Sequence, residues 1–276
     1  MNLEDNIIET YLRIEEVYRS ITRDCKLRQG GFTPALSDAE VLTMEILGEQ
    51  QGRRGDAAIW RYFSEHWKDW FPALGSYKNF TKHCANLLWI KLKIMKILFP
   101  PSADDIHIID GVPMPVCHHV RARRSRVFKE IAAWGFCASK DEHYYGLRGH
   151  PVINMKGQVV DFIVTPANLD ERTVLSDLTG VIEGLLLGDK GFISKKRQEE
   201  LCQHGINLQT PLRDNMIDYR PRKFVKTLLR VRRRIETVIG LLSEQFGIVR
   251  IKARNLWHFS NQLIRKILAF NLSLRA

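Results

Sequence analysis

At 276 residues and 32.0 kDa, with 45% hydrophobic and 26% charged residues, the chain has the composition of a globular protein and the length for one large domain or two smaller ones. Its 42 Lys and Arg against 31 Asp and Glu, a formal charge of +11, favour a polyanionic partner, either nucleic acid or an anionic membrane surface. The most apolar stretch, "NLLWIKLKIMKILFP" (86–100), is too short to cross a bilayer and carries Lys91, Lys93 and Lys96, which argues against a membrane span and predicts an amphipathic helix.

The start of the chain is acidic and polar rather than a positive stub before an apolar run, which argues against secretion. Cys25, Cys84, Cys117, Cys137 and Cys202 are odd in number and form no CxxC pair, so reduced thiols in a cytoplasm are expected. The run Cys117, His118, His119 offers zinc-ligand types, but no second cluster completes a four-ligand site at familiar spacing.

Residues 1 to about 100 read as helical. "NLEDNIIETYLRIEEVYRSI" places Ile7, Ile8, Tyr11, Ile14, Val17, Tyr18 and Ile21 at three- and four-residue intervals, the stripe of an amphipathic helix. In "LSDAEVLTMEILGE", Ser37 followed by Glu40 three residues on is a capping-box pattern. "AAIWRYFSEHWKDWF" predicts a helix whose aromatic side chains fill a helical core. Pro100 and Pro101 stop the preceding helix.

Strands begin near residue 105. "DIHIIDGVPMPV" alternates Ile106, Ile108, Asp110 and Val112 on one face, and "HYYGLRGHPVIN" with "QVVDFIVTP" flanks a hairpin connection at "MKG". A helix over 169–180, the strand "GLLLG", a helix over 194–204 and the strand "INLQTP" follow, then a helical stretch from about 223 to the end with a break near Gly247. Hairpin first and crossover helices later imply an α/β sheet with helices on its faces.

Three acids punctuate this order. Asp110 opens an Asp-Gly pair that reads equally as a turn. Asp189 follows the apolar run of "EGLLLGDKGF", at the rim of a sheet or in a turn. Glu236 borders the stripe Leu228, Val231, Ile235, Val238, Ile239, Leu242, Phe246, one turn after Arg232, where the plain reading is an i,i+4 surface pair worth about 0.3–0.5 kcal/mol.

Taken together, "IIDG", "TPANLDER", "GDKGF" and "RRRIET" resemble the corresponding pieces of DDE-type transposases of bacterial insertion sequences, over roughly residues 105–276. The chain keeps Arg232 and Glu236 of the Tyr, Arg, Glu, Lys signature common in such proteins but has Leu229 and Ser243 at the outer places, so no role for a lysine on this helix is carried over. The resemblance implies an α/β ribonuclease H-like domain, a mixed five-stranded sheet flanked by helices, over 101–276. An all-helical region over 1–100, for DNA-end binding or dimerisation, precedes it. Asp110, Asp189 and Glu236 would be the catalytic, metal-binding acids.

Such chemistry suits these residue types, because two divalent ions about 3.5–4 Å apart can stabilise both the attacking and the leaving oxygen of a phosphodiester. Mg2+, with Mn2+ able to substitute, takes hard carboxylate oxygens and substrate phosphate. The resemblance further implies cleavage at terminal inverted repeats, joining of the 3′-hydroxyl to target DNA, a dimer or larger assembly on double-stranded DNA, and work at the bacterial nucleoid. Arg232 would face a phosphate or orient Glu236, and Lys190 would contact the DNA backbone. The basic runs "HHVRARRSR", with Arg121, Arg123 and Arg124, and "RPRKFVKTLLRVRRR" read as DNA-backbone contacts or as ordinary solvated faces. A structure-selective nuclease on the same fold and a non-catalytic regulator descended from a transposase are the alternatives.

Overall fold

The computed structural model describes residues 2–23, 25, 27–28, 30, 33–101, 106–138 and 141–274. Residue 105, where the first strand was expected to begin, and residues 275–276, at the end of the last helical stretch, lie outside them. The chain forms two compact units, Met1–Leu98 with Gln245–Ala276, and Phe99–Glu244. The C-terminal segment therefore groups by its contacts with the N-terminal helices, whereas the expected catalytic domain runs over 101–276. The helices in chain order are α1 (Leu3–Thr22), α2 (Asp38–Gln50), α3 (Asp56–His66), α4 (Tyr77–Asn86), α5 (Leu88–Leu98), α6 (Lys195–Gln203), α7 (Arg222–Glu244) and α8 (Leu256–Ser273).

In the helical unit α2 is the centre, with α1, α3, α4 and α8 packed round it. Its start is the predicted capping box: the Ser37 hydroxyl accepts from the Glu40 amide at 3.2 Å and the Glu40 carboxylate accepts from the Ser37 amide at 2.7 Å. On α1 the stripe is narrower than predicted, since Ile7, Ile14 and Val17 are buried while Ile8 is 48% exposed. Of the aromatics in the third segment, Phe63 and Phe71 are buried edge to face, and Trp70 faces solvent.

Because α2 is enclosed on nearly every side, its own charged residues are buried and must be answered from neighbours. Arg265 of α8, 0% exposed, reaches Glu45 at 3.2 Å, Glu49 at 2.8 Å and Asp56 at 2.5 Å. Lys266 pairs with Glu49 at 2.7 Å, and Lys91 of α5 pairs with Glu45 at 2.5 Å and donates to Asn261 at 2.7 Å. Lys91 is thus 1% exposed and lies on the buried side of the predicted amphipathic helix, apart from the exposed Lys93 and Lys96. It stands three residues from both Leu88 and Ile94, so helical geometry puts it on the buried face.

The second unit is built on one mixed sheet, seven-stranded among the described residues: β1 (Ile106–Ile109), β2 (Val112–Pro115), β3 (Ala133–Cys137), β4 (Glu142–Ile153), β5 (Val159–Pro166), β6 (Gly184–Leu187) and β7 (Ile206–Gln209). The long β4 is its spine. β1 and β2 lie along one edge of β4 in a single antiparallel register, Ile109 opposite Val152 and Val112 opposite Gly149. β5 and β3 share the other edge. β1 also pairs in parallel with β6, and β6 with β7. The order β5-β4-β1-β6-β7, antiparallel at the first two joins and parallel at the last two, is the ribonuclease H-like mixed sheet expected.

Two strands exceed the five expected. Asp110 and Gly111 interrupt one predicted strand and divide it into β1 and β2, and β3 comes from a segment with no predicted strand, whose large side chains, Trp134 and Phe136, face outward. The alternation expected in β1 is also absent, because this strand lies between β4 and β6 and is buried on both faces, His107 included. The helix expected over 169–180 is a 3-10 helix, Glu171–Leu178, started by the Asp170 carboxylate accepting from the Arg172 amide at 2.9 Å. The core beneath it joins Ile109, Val152, Leu186 and Leu208 of the sheet to Leu175, Phe192 and Leu201. α7 packs on β1. After it, Gly247 takes the left-handed conformation, φ 64°, at the predicted break.

Candidate active site

β1 and β6 are adjacent and parallel, so the residues that follow them emerge at the same edge of the sheet. Asp110 directly follows β1, and Asp189 stands two residues past β6. α7, packed on β1, contributes Arg232 and Glu236 one turn apart. Each acid also fulfils its local reading. An Asp110 oxygen accepts from the Gly111 amide at 2.8 Å, and Asp189 caps the 3-10 turn Lys190–Phe192 by accepting from the Lys190 amide at 2.6 Å. Glu236 pairs with Arg232 at 2.8 Å.

These local roles do not keep the acids apart. The Arg232 guanidinium that binds Glu236 also approaches Asp110 Oδ2 at 3.4 Å and Asp189 Oδ1 at 3.6 Å through its other terminal nitrogen. Three carboxylates from three separate elements, scattered over more than a hundred residues of sequence, therefore surround one cation.

A fourth acid, to which sequence reasoning gave no role, stands beside them. Glu171 is held by Arg148 at 2.6 Å, and Arg148 is itself fixed by donating to the Phe136 carbonyl at 3.0 Å. One Glu171 oxygen lies where a Cβ on Gly111 would come within 3.0 Å, and the other would collide with a Cβ on Gly191. The two glycines thus make room for a carboxylate between the Asp110 and Asp189 loops. The signal was present in "IIDG", "GDKGF" and "LDER", but which carboxylate fills the space left by the glycines depends on tertiary placement.

Asp110, one of the three acids around Arg232, has its titration shifted by its burial. Burial pushes its carboxyl up to about 6, with Asp189 and Glu171 adding to the rise while the Gly111 amide and Arg232 oppose it. Burial likewise raises Glu171, against the pull of Arg148. A folded carboxyl above its unfolded value of 3.8 holds a proton that the unfolded chain releases between about pH 4 and 6, so stability from this group declines as pH rises through that window. Asp110→Asn is therefore expected to stabilise the ion-free protein at pH 7, by up to about 2–3 kcal/mol, and to flatten the loss of stability between pH 4 and 6. Urea unfolding of both proteins across that range checks it, and a variant less stable than wild type at pH 7 contradicts it.

The cations named from sequence are placed differently from one another. Arg232 faces the acids. Lys190 turns to Asp214 at 3.2 Å. Arg121, Arg123 and Arg124 are exposed on the 3-10 helix His119–Arg124, which packs against β4 and buries Ala122 beneath it. As placed, no three acid, histidine or cysteine side chains among the described residues stand close enough to share a metal ion. The donor set nonetheless fits divalent-ion chemistry: hard carboxylate oxygens converge on a point already held by positive charge.

A family profile described as "Transposase DDE domain" matches residues 101–256. The chain is similar to the piggyBac transposase, solved as a synaptic complex with hairpin DNA, at 8% identity with a TM-score of 0.47, over 96% of this chain and 73% of that one. No curated protein matches this chain.

Proposed function

Because the chain belongs to the transposase DDE domain family, which covers more than half of its length, we propose that it is a divalent-metal-dependent DNA transposase whose acids are Asp110, Asp189 and Glu236. The observation that supports this most is the convergence of those three carboxylates on one guanidinium. Asp110, Asp189 and Glu236 would hold Mg2+, or Mn2+ in its place. When bound, such ions stabilise the attacking and leaving oxygens of an in-line phosphoryl transfer.

The residues of the chain divide the remaining work. The sheet fixes Asp110 and Asp189 at adjacent strand ends, which holds ligands more rigidly than a loop would. Glu171 and Arg148 set the spacing of the two loops that follow. Arg232 holds the acids together in the absence of ions and, once displaced, is positioned to meet a phosphate. The exposed Arg121, Arg123 and Arg124 and the basic face of α7 supply backbone contacts, which give affinity without sequence information.

The proposal extends to the terminal repeats of a bacterial insertion sequence as substrate and to the nucleoid as the place of action, both from the sequence resemblance. A dimer or larger assembly would bring two ends together. The helical unit offers support for self-association in its exposed apolar side chains, Ile8 and Leu12 on α1 and Trp89, Leu92 and Ile97 on α5. Its other proposed role is recognition of the DNA ends.

Incubation with DNA carrying the flanking terminal repeats and Mg2+ tests the function. Nicks at the element ends followed by joined products are expected. Cleavage without joining would instead favour a structure-selective nuclease, and binding without cleavage a regulator. Binding itself should weaken with salt, with a log–log slope of roughly −0.9 per phosphate neutralised. A salt-insensitive association contradicts a DNA partner.

A further inference from the structure

We propose that the loop Arg213–Tyr219 is a wedge that recognises unpaired or unstacked bases in DNA, an inference that rests on the reading of DNA as substrate. The loop lies between β7 and α7, and it is fastened rather than slack. Arg220 donates to the Gln209 side chain at 2.9 Å and the Thr210 carbonyl at 3.0 Å while gripping Asp218 at 2.7 and 2.8 Å. The Met216 amide donates to the Arg213 carbonyl at 2.9 Å, closing a turn. Lys190, next to Asp189, adds a tether to Asp214; being solvent-exposed, that pair is weak, but it places the loop beside the acid cluster.

This anchored turn holds apolar side chains in solvent. Ile217 is 73% exposed and Tyr219 90%, with Met216 also exposed. Single exposed apolar residues are ordinary, but three within four positions, on a loop held in place at its base, are not explained by the core. The charges around them select the partner. Asp214 and Asp218 are engaged by Lys190 and Arg220, while Arg213, Arg222 and Lys223 make no ion pair among the described residues. The net presentation is an apolar tip in a positive rim. A polyanion with apolar faces satisfies both, and DNA shows such faces where bases are unpaired or unstacked. Apolar side chains wedge into such steps, and aromatic rings stack on released bases. A second copy of this chain fits less well, since like basic rims repel.

The test compares affinity for two short duplexes of the same sequence, one fully paired and one with a single mismatch, without divalent ions. Wild type should prefer the mismatched duplex about tenfold, because a base already unpaired spares the cost of unstacking. The double variant Ile217→Ser/Tyr219→Ser should lose that preference, keep its affinity for the paired duplex within about threefold and keep the salt slope of wild type, while Tyr219→Trp alone retains the preference. Equal binding of the two duplexes by wild type, or a preference that survives in the double variant, overturns the wedge. So does a change in the sedimentation of the DNA-free double variant, which would make the patch a contact between copies. Wild type that binds neither duplex removes the DNA reading itself, a result distinct from the others.

Discussion

Asp189→Asn should lower Mg2+-dependent DNA cleavage by about a thousandfold or more while leaving DNA affinity within about threefold of wild type. The substitution keeps size and an acceptor oxygen, so the side-chain carbonyl of the variant can still accept from the Lys190 amide and start the 3-10 turn that Asp189 caps. It removes the negative charge that a hard cation needs and one of the three charges facing Arg232. Affinity should survive because the proposed phosphate contacts lie elsewhere, among them Arg121, Arg123 and Arg124 on their own 3-10 helix. Cleavage and binding therefore separate in this variant. A parallel fall in both would point to misfolding instead, and equal cleavage by variant and wild type would falsify the catalytic assignment.

Arg265→Met is the second large effect, and it falls on stability. Arg265 is fully buried and faces Glu45, Glu49 and Asp56 at once, so its removal leaves negative charge with too few partners in a medium that solvates it poorly. Lys266 still answers Glu49 and Lys91 still answers Glu45, which leaves Asp56 without a partner among these cations. A loss of about 3–5 kcal/mol is expected, read as a lower urea midpoint in unfolding followed by far-ultraviolet circular dichroism. Arg265→Lys should recover only part of it, because an ammonium cannot span three carboxylates as a guanidinium does. An unchanged midpoint for Arg265→Met would show that the network contributes little to holding α8 against α2.

Local patterns made a large part of this architecture legible. The Ser37–Glu40 capping box, the hairpin of β4 and β5 and the break at Gly247 rest on interactions between near neighbours, the strand Gly184–Leu187 is marked by its own apolar run, and all four stand where the sequence places them. What was not legible depends on long-range packing. Lys91 looks like a surface residue until Glu45 and Asn261 arrive from distant segments. That α8 joins the N-terminal helices follows from Arg265 and Lys266 finding the acids of α2, a pairing across more than two hundred residues. At the site, each acid carried an innocuous local explanation that the structure retains, and only the sheet order shows why Asp110 and Asp189 emerge side by side. Glu171 was hidden for the same reason: its place is defined by two glycines from two other loops.

The proposed binding of divalent cations by the trio is tested most directly by titrating Mn2+ into the protein with bound duplex DNA and following the free-ion signal by electron paramagnetic resonance. Wild type should take up Mn2+, and Asp110→Asn, Asp189→Asn and Glu236→Gln should each weaken uptake at least about tenfold, since every one removes a charged oxygen ligand. Uptake by all three variants indistinguishable from wild type would mean that these carboxylates gather around Arg232 for structural reasons and hold no ion.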